Sequence, residues 1–275
     1  MERSVRRARP AGRLLRQALA TALALWGAGC TAEPGPGPEP GPRARVLLVT
    51  GEDYPGHDWQ RTTPVVVGLL ERDPRLEVEV LDDLHALRPA RLEGHDVVVL
   101  HFKNYDPAVP GRPGLDALRA FVAGGGGLVL LHFAGGAFQE FRADFTELAG
   151  RTWDTGLRGH DPRGRFLVEV VDRAHPATAG LEDFETDDEL YTCLAGEVPI
   201  EVLAEARSTV DGRRYPMAFV LGYGAGRVFH TPLGHDVAAF DPPGVGELIR
   251  RGTAWAAGLP TVPTRPRPRP PANMR

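Results

Sequence analysis

The residues able to do proton or metal chemistry are scattered along the sequence and form no short local motif. His57, with Asp58 and Trp59, follows an apolar run and a glycine-bearing loop, and His132 stands directly after Leu128-Val-Leu-Leu131. Gly159-His160, Asp188-Glu189-Leu190-Tyr191 and Gly234-His235-Asp236 complete the set. Imidazoles titrate near neutral pH and carboxylates orient them, which suits general acid–base work on hydroxyl protons or on protons beside a carbonyl. On that reading His132 and His235 are the acid/base pair and Asp236 orients them. His57, Trp59, His160, Glu189 and Tyr191 bind the substrate, with Trp59 or Tyr191 as an aromatic wall. A divalent metal such as zinc is a candidate cofactor, with His132, His160, Glu189 and His235 as candidate ligands. The spacing is wholly non-local, without a paired-histidine motif such as H-E-x-x-H, and does not decide between the two.

Segments this far apart need a scaffold to bring them together. Residues 45–50 read as an apolar strand, 76–81 as an alternating outer strand and 96–100 as a third. Four glycines, Gly124 to Gly127, precede the run 128–131, which reads as a buried parallel strand with His132 at its carboxyl end. Between these strands a helix is expected to start at Thr63-Pro64 with its body over 65–72, and another over 116–123. A third is expected over 138–148, where Phe138, Phe141, Phe145 and Leu148 make a packing stripe. The order β-α-β-β-α-β-α predicts a doubly wound sheet. Further strands are expected over 166–171, 200–204, 217–221 and 228–230, with a closing helix over 246–257. Gly222-Tyr-Gly-Ala-Gly226 reads as a turn between strands, not as a dinucleotide fingerprint. His175-Pro176 reads as a turn, and the acidic run 185–189 as a solvated face of which Glu189-Leu-Tyr191 is the part worth keeping.

In this order the motifs resemble the trehalose-utilization ThuA-like family. The matching pieces are the first strand with Gly51 and His57, then Gly125-Gly-Gly127-Leu-Val-Leu-Leu-His132, Gly159-His160 and His175-Pro176. Asp188-Glu189-Leu190-Tyr191, Tyr223-Gly-Ala-Gly-Arg227-Val, Gly234-His235-Asp236 and Trp255-Ala256 follow. The resemblance implies a single flavodoxin-like α/β domain of the class I glutamine amidotransferase-like kind, with a doubly wound, mostly parallel sheet. It also implies a sugar or keto-sugar as the small molecule. One departure is Phe133, where many relatives carry a small residue, and it is expected to reshape the pocket. Glutaminase chemistry needs a cysteine at the turn after the central strand, and this chain has His132-Phe133-Ala134 there, so that activity is not expected. The alternative is a non-catalytic carbohydrate-binding or scaffold protein, which needs aromatic walls and donors but no histidine pair.

The front end reads as a targeting segment. Six arginines from Arg3 to Arg16, an apolar run over 18–26 and Gly27-Ala-Gly-Cys30 resemble a bacterial lipoprotein signal in which Cys30 is lipidated. Residues 31–44 alternate proline and glycine as a tether, 45–259 hold the domain, and 260–275 form a proline- and arginine-rich tail expected to be disordered. The expected place is therefore the cell envelope, lipid-anchored to a membrane, or alternatively secreted and soluble. With Cys30 lipidated, Cys193 is left alone and is expected to be buried and inert. The formal charge is −4, and residues 1–29 hold those six arginines against Glu2, so their removal leaves about −9. No basic stripe remains in the domain, which argues against nucleic acid as a partner.

Overall fold

The computed structural model describes residues 41–260, apart from 105, 107 and 108. Signal segment, Cys30 and most of the tether and tail lie outside the described residues. The elements run β1 (Ala44–Val49), α1 (Trp59–Leu70), β2 (Leu76–Leu81), α2 (Pro89–Leu92), β3 (Val97–Leu100), α3 (Gly111–Ala123), β4 (Gly127–Leu131), α4 (Arg142–Ala149) and β5 (Thr152–Trp153). They continue with β6 (Gly164–Val170), β7 (Phe184–Asp188), β8 (Leu194–Ala195), β9 (Glu201–Arg207), β10 (Arg214–Tyr223), β11 (Gly226–Thr231) and α5 (Pro243–Ala256).

Nine strands form one sheet in the order β2-β1-β3-β4-β11-β10-β9-β6-β7. From β2 to β11 every pairing is parallel, and from β11 to β7 every pairing is antiparallel. The expected α/β class holds, with the parallel half doubly wound. Residues of β1, β3 and β4 are apolar without interruption because both faces are covered. Val46, Leu48, Val97, Val99, Val129 and Leu131 pack towards α1 and α5. Leu47, Val49, Val98, Leu100, Leu128 and Leu130 pack towards α3 and α4. Burial of these side chains stabilises the fold by about 1.5–3 kcal/mol each.

Four helix starts differ from the sequence expectation: α3 begins at Gly111 and α5 at Pro243, both earlier than expected, and the other two shift for local reasons. α1 begins at Trp59, because the Asp58 carboxylate accepts from the Arg61 N–H and caps it; Pro64 then lies inside the helix. The expected helix over 138–148 starts only at Arg142, because Phe138 takes a left-handed backbone (φ 53°) and a short 3₁₀ turn follows. Phe138 and Phe145 still pack, with ring centroids 5.1 Å apart.

Successive connections leave β1 towards β2 on one side and place β3 on the other. The loops after β1 and β3 therefore part, and a crevice opens outside the carboxyl ends of the strands. Loops after β4 and β11 end on the same edge. From the antiparallel half, the segment after β7 is drawn back to this crevice: Asp161 N–H donates to the Leu190 carbonyl and Thr192 N–H to the Gly159 carbonyl, both at 2.9 Å. The acidic run 185–189 is thus only half solvated. Within β7 Glu185 and Asp187 face water while Thr186 and Asp188 are buried.

Candidate metal centre and cleft

Four side chains from four loops meet at the crevice. His132 is fully buried, and its Nε2 lies 3.1 Å from His57 Nε2, 3.3 Å from His235 Nδ1 and 3.6 Å from Glu189 Oε2. His235 Nδ1 is 3.3 Å from the same Glu189 oxygen. One ligand atom from each of these four residues lies within 4.8 Å of every other. Donors at about 2.0–2.1 Å from a tetrahedral zinc stand about 3.3–3.4 Å apart, so the spacing fits an ion at the centre.

The far side of each ring decides which nitrogens are free. His132 Nδ1 lies 2.8 Å from the Pro232 carbonyl and His57 Nδ1 3.2 Å from the Pro55 carbonyl. A carbonyl accepts only, so both rings donate there and turn their Nε2 lone pairs towards each other, the arrangement typical of metal-ligating histidines. Burial and neighbouring imidazoles hold both rings neutral: His57 falls to about 4 through desolvation and then His235, and His132 is pushed well below its ordinary value by desolvation and then His57. His235 is raised instead, chiefly by its hydrogen bond to Glu189. Desolvation raises the Glu189 carboxyl, but His235 and the other imidazoles outweigh it and leave the group below its usual range.

His132 owes its position to a strained turn. It leaves β4 with φ 48°, a left-handed conformation rare for a residue with a side chain, and opens a 3₁₀ turn. Phe133 stacks on the His57 ring, centroids 4.3 Å apart, and so fixes the orientation of that imidazole. Tyr191 is buried, with its hydroxyl 3.1 Å from His132 Nε2. Desolvation, followed by Glu189, pushes its phenol well above the ordinary value, so it stays protonated and donates.

Three expected site residues have other positions or partners. Asp236 does not orient His235: it pairs with Arg163, whose Nη2 lies 3.0 Å from Oδ1, and accepts from the Ala239 N–H. An arginine fork fits a carboxylate better than one imidazole N–H does, and Glu189 takes the orienting place. Trp59 turns to Asp53, donating Nε1–H at 2.8 Å, and is not part of the cavity wall. His160 stands outside the four-residue cluster; its Nδ1 lies 2.7 Å from the Asp161 carbonyl and its Nε2 3.5 Å from Glu189 Oε1. His175 sits in a turn capped by Asp172 and packs edge-on against Trp255, away from the cleft. Cys193 is buried, which pushes its thiol up to about 12 and makes it a poor nucleophile.

The cluster opens into a cavity of about 290 Å³ lined by Tyr54, Lys103, Phe133, Trp153 and His160 together with His57, Glu189 and His235 of the cluster. Lys103 and Trp153 were not among the expected site residues. Lys103 follows β3 by three residues, a strand-end position that could have marked it; nothing near Trp153 in the sequence does. Asp188 is a third omission. Fully buried at the end of β7, it accepts from the N–H groups of Gly234 at 2.7 Å, Glu189 at 2.8 Å and His235 at 3.2 Å, tying two ligand-bearing loops together. Desolvation pushes its carboxyl up to about 6 against these donors.

The sequence profile of the ThuA family, described as trehalose utilisation, matches residues 45–256. The chain belongs to the ThuA family. A ThuA-like protein of Parabacteroides merdae is 25% identical with a TM-score of 0.71, covering 82% of this chain and 94% of its own. Another from Bacteroides uniformis is 16% identical with a TM-score of 0.65, covering 82% and 95%. The cytoplasmic protein STM1381 of Salmonella typhimurium is 12% identical at a TM-score of 0.54, covering 78% and 98%, and shares the fold. Comparison with curated proteins gave no match.

Proposed function

We propose that this ThuA-family chain performs metal-assisted acid–base chemistry on a sugar or keto-sugar. The observation carrying the proposal is the convergence of His57, His132, Glu189 and His235, with the rear nitrogens of His57 and His132 already committed to backbone carbonyls. These four residues would hold a divalent ion such as zinc, which could polarise a hydroxyl or carbonyl oxygen by accepting it in addition to them. His132 and His235, first expected as the acid/base pair, are then ligands. Proton work falls to His160, whose Nδ1–H is fixed by the Asp161 carbonyl and whose ring lines the cavity. Tyr191 supplies a protonated hydroxyl beside the cluster, able to donate to a developing oxyanion. Trp153, in the cavity wall, offers an apolar face to a sugar ring, and Lys103 a cation.

The family's description supports a carbohydrate-derived substrate. The basic, then apolar, N-terminal run ending in Cys30 supports placement in the cell envelope on a lipid anchor. The test is metal analysis of the purified chain, followed by turnover assays on sugars and 3-keto-sugars for the parent and for His160→Gln. One bound ion and ion-dependent turnover that falls at least about 100-fold in the variant support the reading. A chain that takes up an ion and binds sugars without turning any over is instead the binding or scaffold protein.

A further inference from the structure

Lys103 is the only lysine in the chain: the 32 lysines and arginines are otherwise all arginine. It emerges at the switch point of the sheet and reaches across the cleft over Gly136. A Cβ at Gly136 would stand 3.0 Å from Lys103 Cδ and 3.2 Å from Cε, so the glycine makes room for the lysine stem. Nζ donates to the Tyr54 hydroxyl at 2.6 Å, and lies 4.4 Å from the Tyr54 ring centroid and 5.7 Å from that of Trp153. An ammonium has three N–H donors, and no carboxylate pairs with this one among the described residues. Arg163 and Arg158, by contrast, each hold two carboxylates.

A half-buried cation placed over aromatic faces without a counter-charge is costly to keep unless a ligand completes it. Its surroundings point the same way. Asp236 is neutralised by Arg163, Glu189 is shared among imidazoles, and a divalent ion at the cluster would outweigh the one carboxylate that holds it. The loaded cleft therefore has positive charge in excess. Where arginine is used everywhere else, a compact ammonium also matters. It concentrates its charge on one point and needs no planar two-toothed partner. The volume of about 290 Å³ lies at the lower limit for small-molecule pockets and is enough for one sugar ring.

We infer that the cleft takes an acidic sugar derivative, a polyhydroxylated carboxylate of single-ring size. Its carboxylate lies against Lys103 and the Tyr54 hydroxyl, and its hydroxyls face the His57–Glu189–His235 side. This rests on the carbohydrate reading above and narrows it.

Because Lys103 is the sole lysine, a full-length chain grown with ε-carbon-labelled lysine gives one side-chain resonance that reports on the site. The zinc-loaded chain is titrated with glucuronate and gluconate, and with glucose and methyl glucoside as neutral counterparts. Expected are a saturable shift of the Lys103 resonance with the acids and not with the neutral sugars, and binding of the acids weakened at least tenfold in Lys103→Met with zinc uptake unchanged. Gly136→Ala, which displaces the stem while keeping the charge, is expected to weaken the acids as well. Equal affinity for acid and neutral sugars, an unaltered affinity in Lys103→Met, or no shift with either acid overturns the inference while leaving the metal reading in place. Failure of the chain to take up zinc overturns the metal reading instead, and a shift by sugar acids in the zinc-free chain would still support the role of Lys103.

Discussion

Zinc uptake should release a proton, and the structure says which one. In the metal-free cluster His57 and His132 are neutral, and both present lone pairs to the centre. Below its raised pKa His235 carries a proton shared with Glu189, its Nδ1 lying 3.3 Å from both Glu189 Oε2 and His132 Nε2. A cation must take the place of that proton. Because the His235 pKa is raised above 6.5, apparent affinity should fall about tenfold per pH unit below that raised value and flatten above it. Calorimetry in buffers of different ionisation enthalpy counts the protons: about one per ion at pH 6, fewer at pH 8.5. With zinc at a hundredfold excess over Kd, binding adds about 2.7 kcal/mol of stability. At about 2–4 °C per kcal/mol for a domain of this size, Tm should rise by about 5–11 °C. Glu189→Gln removes both the charged ligand and the partner that raises His235, so it should lose most of this rise and the proton count together. Binding by the parent without proton release at pH 6, or an undiminished Tm rise in Glu189→Gln, would refute the assigned cluster.

The metal-free fold should weaken in acid. Burial pushes His101 to about 3 and His230 to about 4, whereas the unfolded chain takes up these protons near 6.5. Stability from them is complete above pH 6.5 and falls as pH drops below it, by about 1.4 kcal/mol per unit for each group; Asp188, pushed up to about 6, works in the opposite sense. Urea unfolding at pH 7.5 and 5 should show a loss of about 2 kcal/mol or more, and His101→Asn should flatten the slope. Asp188→Asn leaves one of three backbone N–H groups facing an amide donor, so it should cost about 1–3 kcal/mol in urea unfolding and weaken zinc binding through the loosened His235 loop. Gly226→Ala should be the more damaging to the fold, because its Cβ would stand 2.2 Å from the Val122 carbonyl oxygen and 2.4 Å from that of Gly126. A drop in Tm of several degrees is expected, with no pH dependence of its own.

How far the sequence reveals the site depends on how each residue reaches it. His132 was legible because an uninterrupted buried strand ends on it, and parallel strands deliver whatever follows them to one edge. His57 and His235 follow from the same rule applied to β1 and β11. Glu189 and Tyr191 lie beyond β7, at the opposite end of the sheet order, and reach the cleft only because backbone bonds to residues 159–161 draw the chain back. No periodicity predicts that return, and the motif order of the family carried it instead. Partner choice was harder still. Asp236 adjoins His235 in sequence, yet it is claimed by Arg163, 73 residues away, while the backbone of His235 is held by Asp188. Adjacency proposes a pair, but competition among fully folded donors decides it, and a guanidinium fork outcompetes one imidazole N–H. Lys103 shows the converse case. Composition contained the clue, a single lysine among arginines, but it acquires chemical meaning only when the fold sets that ammonium in a cleft where no carboxylate of the described residues pairs with it.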